Sequence, residues 1–246
     1  MKDPAKEFEH ELEVFRTETQ LGTQFFYSYL AINAVIGDDK KALDAVNITP
    51  LFWGTNIGAL QTSFFIVLGR IFDQNSKHNI DRLLHVAQNN SEIFSKASLA
   101  ERKRQGSANA DEWLPEYLER AHEPTPEDFG RLRKHVNNYR KIYERNYRNI
   151  RHKIYAHKEL SDKVDVQNLF KKTRIGELQR IFVFLNKLYQ TLWELFHNGW
   201  KPILRPMRYS IVSIKNKRRA DWQSHGVHEK IVAETQDFFR NFTENA

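Results

Sequence analysis

Apolar side chains recur every three or four residues through most of this chain, and this spacing is the strongest constraint on its fold. The clearest run falls within residues 173–198, and its members are Ile175, Leu178, Ile181, Phe182, Leu185, Leu188, Leu192, Leu195 and Phe196. On an α-helix, residues at these intervals share one face, so the segment predicts a long core helix that Gly199 terminates. Helices with one apolar face pack against one another, which favours an all-α helical bundle.

Further helices are predicted where the same spacing recurs. Their ranges are residues 5–20, 21–36, 49–73, 80–87, 92–104, 111–121 and 125–158. Two of them carry start signals, because Thr49 precedes Pro50 at a first helical position and Thr125 with Asp128 resembles a capping box. We predict one bundle over residues 1–199. Residues 200–246 are predicted to be a basic C-terminal appendage, either packed on the bundle or extended from it, in which residues 209–214 form a strand or a short helix.

The chain contains no cysteine. Disulfides, thiol catalysis and thiolate metal sites are therefore excluded, and the composition is consistent with a reducing compartment. No apolar run approaches the roughly 20 residues that cross a bilayer, and the charged N-terminus has no hydrophobic region behind it. We expect a cytoplasmic protein without a membrane-spanning segment.

Positive charge is concentrated in two segments of a chain whose formal net charge is +7. Residues 131–158 contain ten Lys or Arg and one acid, Glu144, while residues 201–219 contain seven Lys or Arg and no acid. The rest of the chain is net acidic. This distribution predicts a surface for a polyanion, most often nucleic acid, and neither segment resembles a membrane-binding amphipathic helix.

A stripe of core-type residues in the predicted helix 125–158 ends in an ionisable group. We name this stripe the seam, and its members are Tyr143, Tyr147, Ile150, Ile154 and His157. On a regular helix Arg151 lies roughly 80° to one side of the seam and His157 roughly 40° to the other, so both can reach one ligand. His152 points roughly opposite, towards solvent. Because of this seam, we expect the long helix to pack at a symmetric homodimer contact with the two His157 positions facing a shared groove.

An Arg followed after four to six residues by a His occurs four times, so spacing alone selects no site. The pairs are Arg145 with His152, Arg151 with His157, Arg218 with His225 and Arg219 with His225. Context favours the second pair. Residues 150–158 (Ile-Arg-His-Lys-Ile-Tyr-Ala-His-Lys) resemble the signature of HEPN domains, in which Asn, Asp or His follows the Arg and a His closes the motif. Residues 68–73 (Leu-Gly-Arg-Ile-Phe-Asp) resemble a second feature of the abortive-infection branch of that family.

This resemblance covers residues 10–198 and implies an all-α bundle that forms a homodimer, with two copies of the motif facing one cleft. It also implies a metal-independent endoribonuclease of antiviral or toxin–antitoxin systems, although some HEPN proteins are catalytically silent. RNA is then an expected partner. An antitoxin or another defence-system protein is a further expected partner, and no cofactor is expected.

Roles for single residues follow from metal-free RNA cleavage, which needs a base, an acid and cations for the phosphate. His157 can act as acid or base because an unperturbed His titrates near pH ~6.5, whereas Arg151 can only bind and stabilise the phosphate. The supporting candidates are His152, Arg148, Arg70 and Asp73, and the RNA-binding candidates are Arg145, Lys153 and Lys158.

Several of these residues also have a structural interpretation. His157 can be a buried, hydrogen-bonded histidine, and Arg151 can be a solvated surface charge. An internal ion pair is slightly favoured for Arg70 and Asp73, which lie three residues apart.

Two other functions compete with the ribonuclease. One is a non-enzymatic HEPN-like module that binds RNA or docks a partner protein. The other is a DNA-binding regulator, although residues 131–158 lack helix-turn-helix spacing. A metal site is not predicted, because His225 and His228 have no convincing third ligand.

Overall fold

The computed structural model describes residues 3–156, 171, 173–204 and 226–244, and every regular element within these ranges is helical. The α-helices are α1 (Pro4–Asp38), α2 (Lys40–Ile48), α3 (Pro50–Phe72), α4 (Ile80–Asn89), α5 (Lys96–Gly106), α6 (Ala110–Arg120), α7 (Pro126–Asn146), α8 (Arg148–Ile150), α9 (Ile175–Asn198) and α10 (Val227–Glu244). A 3₁₀ turn, Ser91–Phe94, precedes α5, and a π-helical turn, Arg151–Ala156, follows α8. The predicted all-α bundle is confirmed.

Two predictions near the N-terminus are wrong. Residues 5–20 and 21–36 form the single helix α1, because no proline interrupts them and Gly22 lies inside the helix. The nine-residue helix α2 was not predicted, since it buries only two alanines and a valine and its periodic signal is weak. Its start is fixed instead by Asp39, whose side chain accepts a hydrogen bond from the backbone N–H of Lys41 at 2.8 Å.

Local start and stop signals were predicted correctly at three other helix ends. Helix α3 begins at Pro50. At the start of α7 the Asp128 carboxylate accepts a hydrogen bond from the backbone N–H of Thr125 at 3.0 Å, which is the reciprocal half of a capping box. Gly199 follows α9 with a φ of 63°, a left-handed conformation that glycine adopts without strain.

Contacts within the chain define two compact units. The first unit comprises Met1–Glu18, Arg70–Arg145 and Val183–Pro206, and the second comprises Thr19–Gly69, Asn146–Phe182 and Met207–Ala246. The core of the first unit is built on aromatic rings around Phe94, which lies 5.0 Å from Phe8, 5.7 Å from Phe129 and 5.8 Å from Phe196 between ring centroids. All four rings are buried, and burial of such apolar surface stabilises this unit.

The second unit has its own apolar core. Phe26 stacks on Phe182 at 5.0 Å and meets the edge of Phe64 at 5.5 Å. A neighbouring cluster joins α10 to this unit, and its buried members are Ile32, Ala42, Val46, Trp53 and Phe239. The described C-terminal helix is therefore packed into a core, while the predicted strand or short helix at residues 209–214 lies outside the described residues.

Helix α3 begins with exposed apolar side chains. Ile48, just before the helix, is 76% exposed, and Leu51 and Phe52 are 87% and 60% exposed. By length and composition alone α3 could cross a membrane, with a mean hydropathy of 1.3 and 28% of the apolar stretch buried. The expectation that no apolar run reaches this length is therefore wrong. Core helices of proteins outside membranes pass the same test, so this finding alone does not place α3 in a bilayer.

Two glycines of the second unit should respond to alanine in opposite directions. A Cβ at Gly22 would lie 2.7 Å from Cε1 of Phe182 and 2.8 Å from Cγ1 of Val67, whereas a Cβ at Gly58 meets nothing within 4 Å. Overpacking costs about 1–3 kcal/mol and helix propensity returns about 1 kcal/mol, so Gly22→Ala should lower the free energy of unfolding by about 1 kcal/mol. Gly58→Ala should raise it by about 0.5–1 kcal/mol.

Thermal unfolding followed by circular dichroism measures both changes. About 1 kcal/mol corresponds to about 2–4 °C in Tm for a chain of this length. Equal Tm shifts in the two variants would contradict the packing seen at Gly22.

Candidate functional site

The predicted helix 125–158 is interrupted in its second half. Helix α7 ends at Asn146, Tyr147 is a turn residue, and α8 continues directly into the π-helical turn. Two side chains at the interruption bind one carboxylate in the first turn of α9. Asn146 Nδ2 donates to Glu177 Oε2 at 2.7 Å, and the Tyr147 hydroxyl donates to the same oxygen at 3.1 Å. A regular helix through residue 158 is therefore wrong, because these contacts hold the backbone in a turn.

Tyr147 is suited to this role because its proton is tightly held. Burial raises the pKa of the Tyr147 phenol, and the negative charge of Glu177 raises it further. The hydroxyl also lies 3.3 Å from the carbonyl oxygen of Arg174. Tyr147 therefore stays a neutral hydrogen-bond donor and fixes the segment that leads into the candidate site.

Three of the five seam residues are buried within one chain, and a fourth, Ile154, is half-buried. Tyr143, Tyr147 and Ile150 are each 0% exposed. In the first unit Tyr143 stacks on Phe72 at 5.3 Å, and in the second unit Tyr147 lies 6.1 Å from Phe65. These three side chains have no exposed area left for a second copy, and the homodimer itself stays a prediction. His157, the last member of the seam, lies outside the described residues.

Arg151 lies against the backbone of α3 at Gly69. A Cβ at Gly69 would lie 2.6 Å from Arg151 Cδ and 2.9 Å from Cζ, closer than a side chain tolerates. Only glycine lets the guanidinium pass this surface of the helix without displacement. The contact joins the two stretches that the sequence singled out, residues 68–73 and 150–158. The role of Gly69 was not predicted, although a glycine inside an apolar helix usually has a packing or functional reason.

His152 contacts the Arg151 guanidinium instead of pointing into solvent. Its Nε2 lies 3.2 Å from Arg151 Nη1, and its side chain is half-buried. Because an arginine can only donate, Nε2 is the acceptor in this contact. The predicted exposure of His152 is wrong because a π-helical turn, bonded from i to i+5, changes the angle between successive side chains. Such turns occur frequently at functional sites.

The sequence model of the HEPN_AbiU2 family, AbiU2, matches residues 5–211. The chain belongs to the HEPN_AbiU2 family. It is therefore a HEPN-type abortive-infection protein, as residues 68–73 and 150–158 indicated. The search of curated proteins and the search of solved structures each gave no match.

Arg70 and Asp73 of this HEPN protein, both in the first unit, have different partners from the one expected. Arg70 binds Glu18, with Nη2 at 2.7 Å and Nε at 2.8 Å from Oε2. Asp73 accepts a hydrogen bond from the hydroxyl of Tyr143 at 3.2 Å. The predicted ion pair between Arg70 and Asp73 is therefore wrong, and the carboxylate of Asp73 instead holds a residue of the seam.

The RNA-binding candidates of this HEPN protein differ in exposure. Arg145 and the supporting residue Arg148 are exposed and Lys153 is half-buried, while Lys158 lies outside the described residues. Other arginines of the basic segment are engaged in structural contacts. Arg140 is buried and lies 2.5 Å from Asp81, and Arg133 Nε donates to Gln88 at 2.8 Å. The basic segment is therefore partly structural, which its charge could not reveal.

The described residues contain no group of three His, Asp or Glu side chains that could hold a metal ion. In the second unit Arg151, Arg148 and Lys153 supply positive charge, and His152 places an imidazole beside the Arg151 guanidinium. This arrangement suits an anion with several oxygens, and a phosphodiester is such an anion.

Proposed function

We propose that this HEPN protein is a metal-independent endoribonuclease that uses Arg151 and His157 on an RNA phosphodiester. One observation carries the proposal: the Arg151 guanidinium is held between the bare backbone of Gly69 and the imidazole of His152, at a π-helical turn. A solvated surface arginine needs no such fixed position. A guanidinium that must meet a phosphate gains from one, because positioning lowers the barrier of the chemical step.

The reaction assigned to the site is an internal transfer on RNA. The ribose 2′-hydroxyl loses its proton to a base and its oxygen attacks the adjacent phosphorus, while the bond to the 5′-oxygen of the next nucleotide breaks. That oxygen takes a proton from an acid, which leaves a 2′,3′-cyclic phosphate and a 5′-hydroxyl. His157 supplies acid or base, and Arg151 stabilises the charge on the phosphoryl oxygens. DNA lacks the attacking hydroxyl and is not a substrate.

His152 acts on Arg151 in this scheme. By accepting from Nη1 it orients the guanidinium that is proposed to meet the phosphate. Arg148, Arg145, Lys153 and Lys158 add phosphate contacts that position RNA without reading its sequence.

The deciding experiment is incubation of the purified protein with end-labelled RNA in excess EDTA. Cleavage that leaves a 2′,3′-cyclic phosphate or its hydrolysed form supports the proposal, and a DNA of the same sequence serves as the control. Cleavage only after Mg²⁺ is added would contradict it. RNA binding without any cleavage would favour the second candidate, a catalytically silent HEPN module whose Arg151 contacts are structural.

The exposed basic residues lead to a prediction about salt. RNA affinity should fall steeply between about 50 and about 300 mM salt, because each neutralised phosphate of a single strand contributes about 0.7 to the slope of log K against log salt. Arg145→Glu together with Lys153→Glu should reduce that slope by at least one such contribution. Fluorescence anisotropy of labelled RNA at several salt concentrations measures it.

Lys77 provides the matched control for this experiment. It is exposed and lies outside both basic segments. Lys77→Glu should leave the slope unchanged. Binding by the parent protein that does not change with salt would contradict a phosphate-binding surface.

We further propose that the active form is a homodimer in the cytoplasm, with an antitoxin or another defence-system protein as a partner. Because three seam residues are buried within the chain, the contact between copies must use other side chains.

A further inference from the structure

Two neighbouring pockets open on the first unit, away from the residues assigned to RNA cleavage. The larger, of about 530 Å³, is lined by Arg120, His122, Lys187, Lys201 and Trp200 among others. The smaller, of about 360 Å³, is lined by Trp113 and Tyr117 and shares Trp200 and Arg120 with the larger. Trp200 therefore borders both pockets. The larger pocket, on one side of Trp200, is rich in cations, and the smaller pocket, on the other side, is lined by aromatic rings.

The cations of the larger pocket are available to an anionic ligand. Arg120 pairs with Glu116 at 2.5 Å, but both side chains are largely exposed, at 80% and 73%, so the pair is weak and readily exchanged. Lys187 Nζ donates to the neutral amide of Gln190 at 3.2 Å, with no carboxylate partner in the part of the chain that the structure describes, and Lys201 is exposed. Among the described residues that line this pocket, Glu194 is the one carboxylate, and it accepts a hydrogen bond from Asn198 at 2.6 Å.

His122 presents a fixed imidazole to the same pocket. Its Nε2 donates to Asp128 Oδ2 at 2.7 Å, and its backbone N–H donates to the carbonyl oxygen of Gly199 at 2.7 Å. Burial would raise the pKa of Asp128, but hydrogen bonds from Thr125 and His122 lower this pKa overall, so the carboxylate is ionised. An ionised partner fixes the ring and leaves Nδ1 as the nitrogen that can meet a ligand.

Trp200 is an unusual side chain to leave in solvent. It is 61% exposed and directly follows Gly199, whose left-handed backbone turns the chain out of α9. The aromatic rings of the smaller pocket, beside Trp200, are held in place by two contacts. The Tyr117 hydroxyl donates to the carbonyl oxygen of Asn198 at 3.0 Å, and Trp113 meets Tyr117 edge-on at 5.5 Å. An exposed indole beside fixed aromatic rings is a platform on which a flat base can stack.

We propose that the two pockets together bind one nucleotide unit, with its base against Trp200 and its phosphate among Lys187, Lys201 and Arg120. Base stacking beside phosphate-binding cations is the combination by which proteins hold single nucleotides and single strands. The unit can be a free nucleotide or one nucleotide of an RNA strand. This inference does not rest on the ribonuclease proposal, because Arg151 and His152 line neither pocket.

Titration calorimetry of the full chain with AMP tests the proposal, with adenosine and ribose 5-phosphate as single-feature probes. AMP should bind at least about tenfold more tightly than either probe, because adenosine lacks the phosphate and ribose 5-phosphate lacks the base. Trp200→Ala should weaken AMP about tenfold through lost stacking. Lys187→Gln with Lys201→Gln should weaken AMP by a similar factor and leave adenosine unchanged.

Controls separate this site from the catalytic one. Trp193→Ala removes a partly exposed tryptophan of the same unit that lines neither pocket, and it should bind AMP like the parent. Arg151→Ala should also bind AMP like the parent, whatever it does to RNA cleavage. Anisotropy of a labelled oligoadenylate, measured in the Arg151→Ala background, tests whether the pockets bind one nucleotide of an RNA strand.

The results decide between support and rejection. If Trp200→Ala weakens AMP binding, the site is assigned to free nucleotides. If Trp200→Ala weakens oligoadenylate binding but AMP does not bind, the site is assigned to an RNA strand. Absence of both, or binding that Trp200→Ala does not change, overturns the proposal.

Discussion

Arg151→Ala and His157→Ala should each abolish most RNA cleavage in EDTA while the protein stays folded. Loss of the proton-transfer group at His157 is expected to lower the single-turnover rate by about 10² to 10⁴, with RNA affinity nearly intact. Arg151→Ala should lower the rate and also weaken binding, because the guanidinium holds the phosphate in both the ground state and the transition state. Rates from excess enzyme and affinities from anisotropy separate these two signatures.

Folding is the essential control for both variants. His157 ends a stripe of apolar residues, and its loss could destabilise the protein without any catalytic role, so the circular dichroism and Tm of each variant must match the parent. Arg240→Ala removes an exposed arginine of α10 and should cleave like the parent. Folded Arg151→Ala and His157→Ala proteins that cleave RNA at the parent rate would end the ribonuclease assignment.

Gly69→Ala should separate activity from stability. The added Cβ would lie 2.6 Å from Cδ and 2.9 Å from Cζ of Arg151, so the arginine has to move. Its side chain is flexible and can do so cheaply, while alanine inside a helix contributes about 0.5–1 kcal/mol relative to glycine. Tm should therefore be unchanged or higher. Cleavage should fall by about 10²-fold, because a displacement of about 1 Å at a catalytic group has that effect.

Gly58→Ala is the matched control for Gly69→Ala on the same helix. A Cβ at Gly58 meets nothing within 4 Å, so this variant gains helix stability without moving Arg151. It should cleave like the parent. A Gly69→Ala protein that is as active as Gly58→Ala would show that the position of the guanidinium does not matter to the reaction.

Much of the fold could be predicted because its signals are local. The start of α3 at Pro50, the start of α7 at Thr125 and Asp128, and the end of α9 at Gly199 each depend on residues within four positions of one another. Helix α2 was missed because nine residues with few apolar side chains carry little periodicity. The turn at Tyr147 was missed because Glu177, the carboxylate that holds it, is 30 residues away in the chain.

The residues of the candidate site could be predicted from the sequence, but their relative positions could not. Residues 68–73 and 150–158 both stand out in the sequence, yet only the structure reveals that Gly69 receives the side chain of Arg151. The orientation of His152 was wrong because it assumed 100° per residue through a segment that is π-helical. A rule based on the regular helical period cannot contain that information, because the π-helical turn departs from this period.

We expect Ile48, Leu51 and Phe52, which are exposed at or just before the start of α3, to promote self-association of the purified protein. Exposed apolar side chains attract one another without a defined stoichiometry, and the attraction grows with salt that suppresses charge repulsion. Apparent mass in a light-scattering dilution series should then climb without a plateau. A symmetric homodimer instead levels off at twice the mass of one chain. Leu51→Lys with Phe52→Lys removes the first behaviour and preserves the second, so an oligomeric state is best assigned in that background.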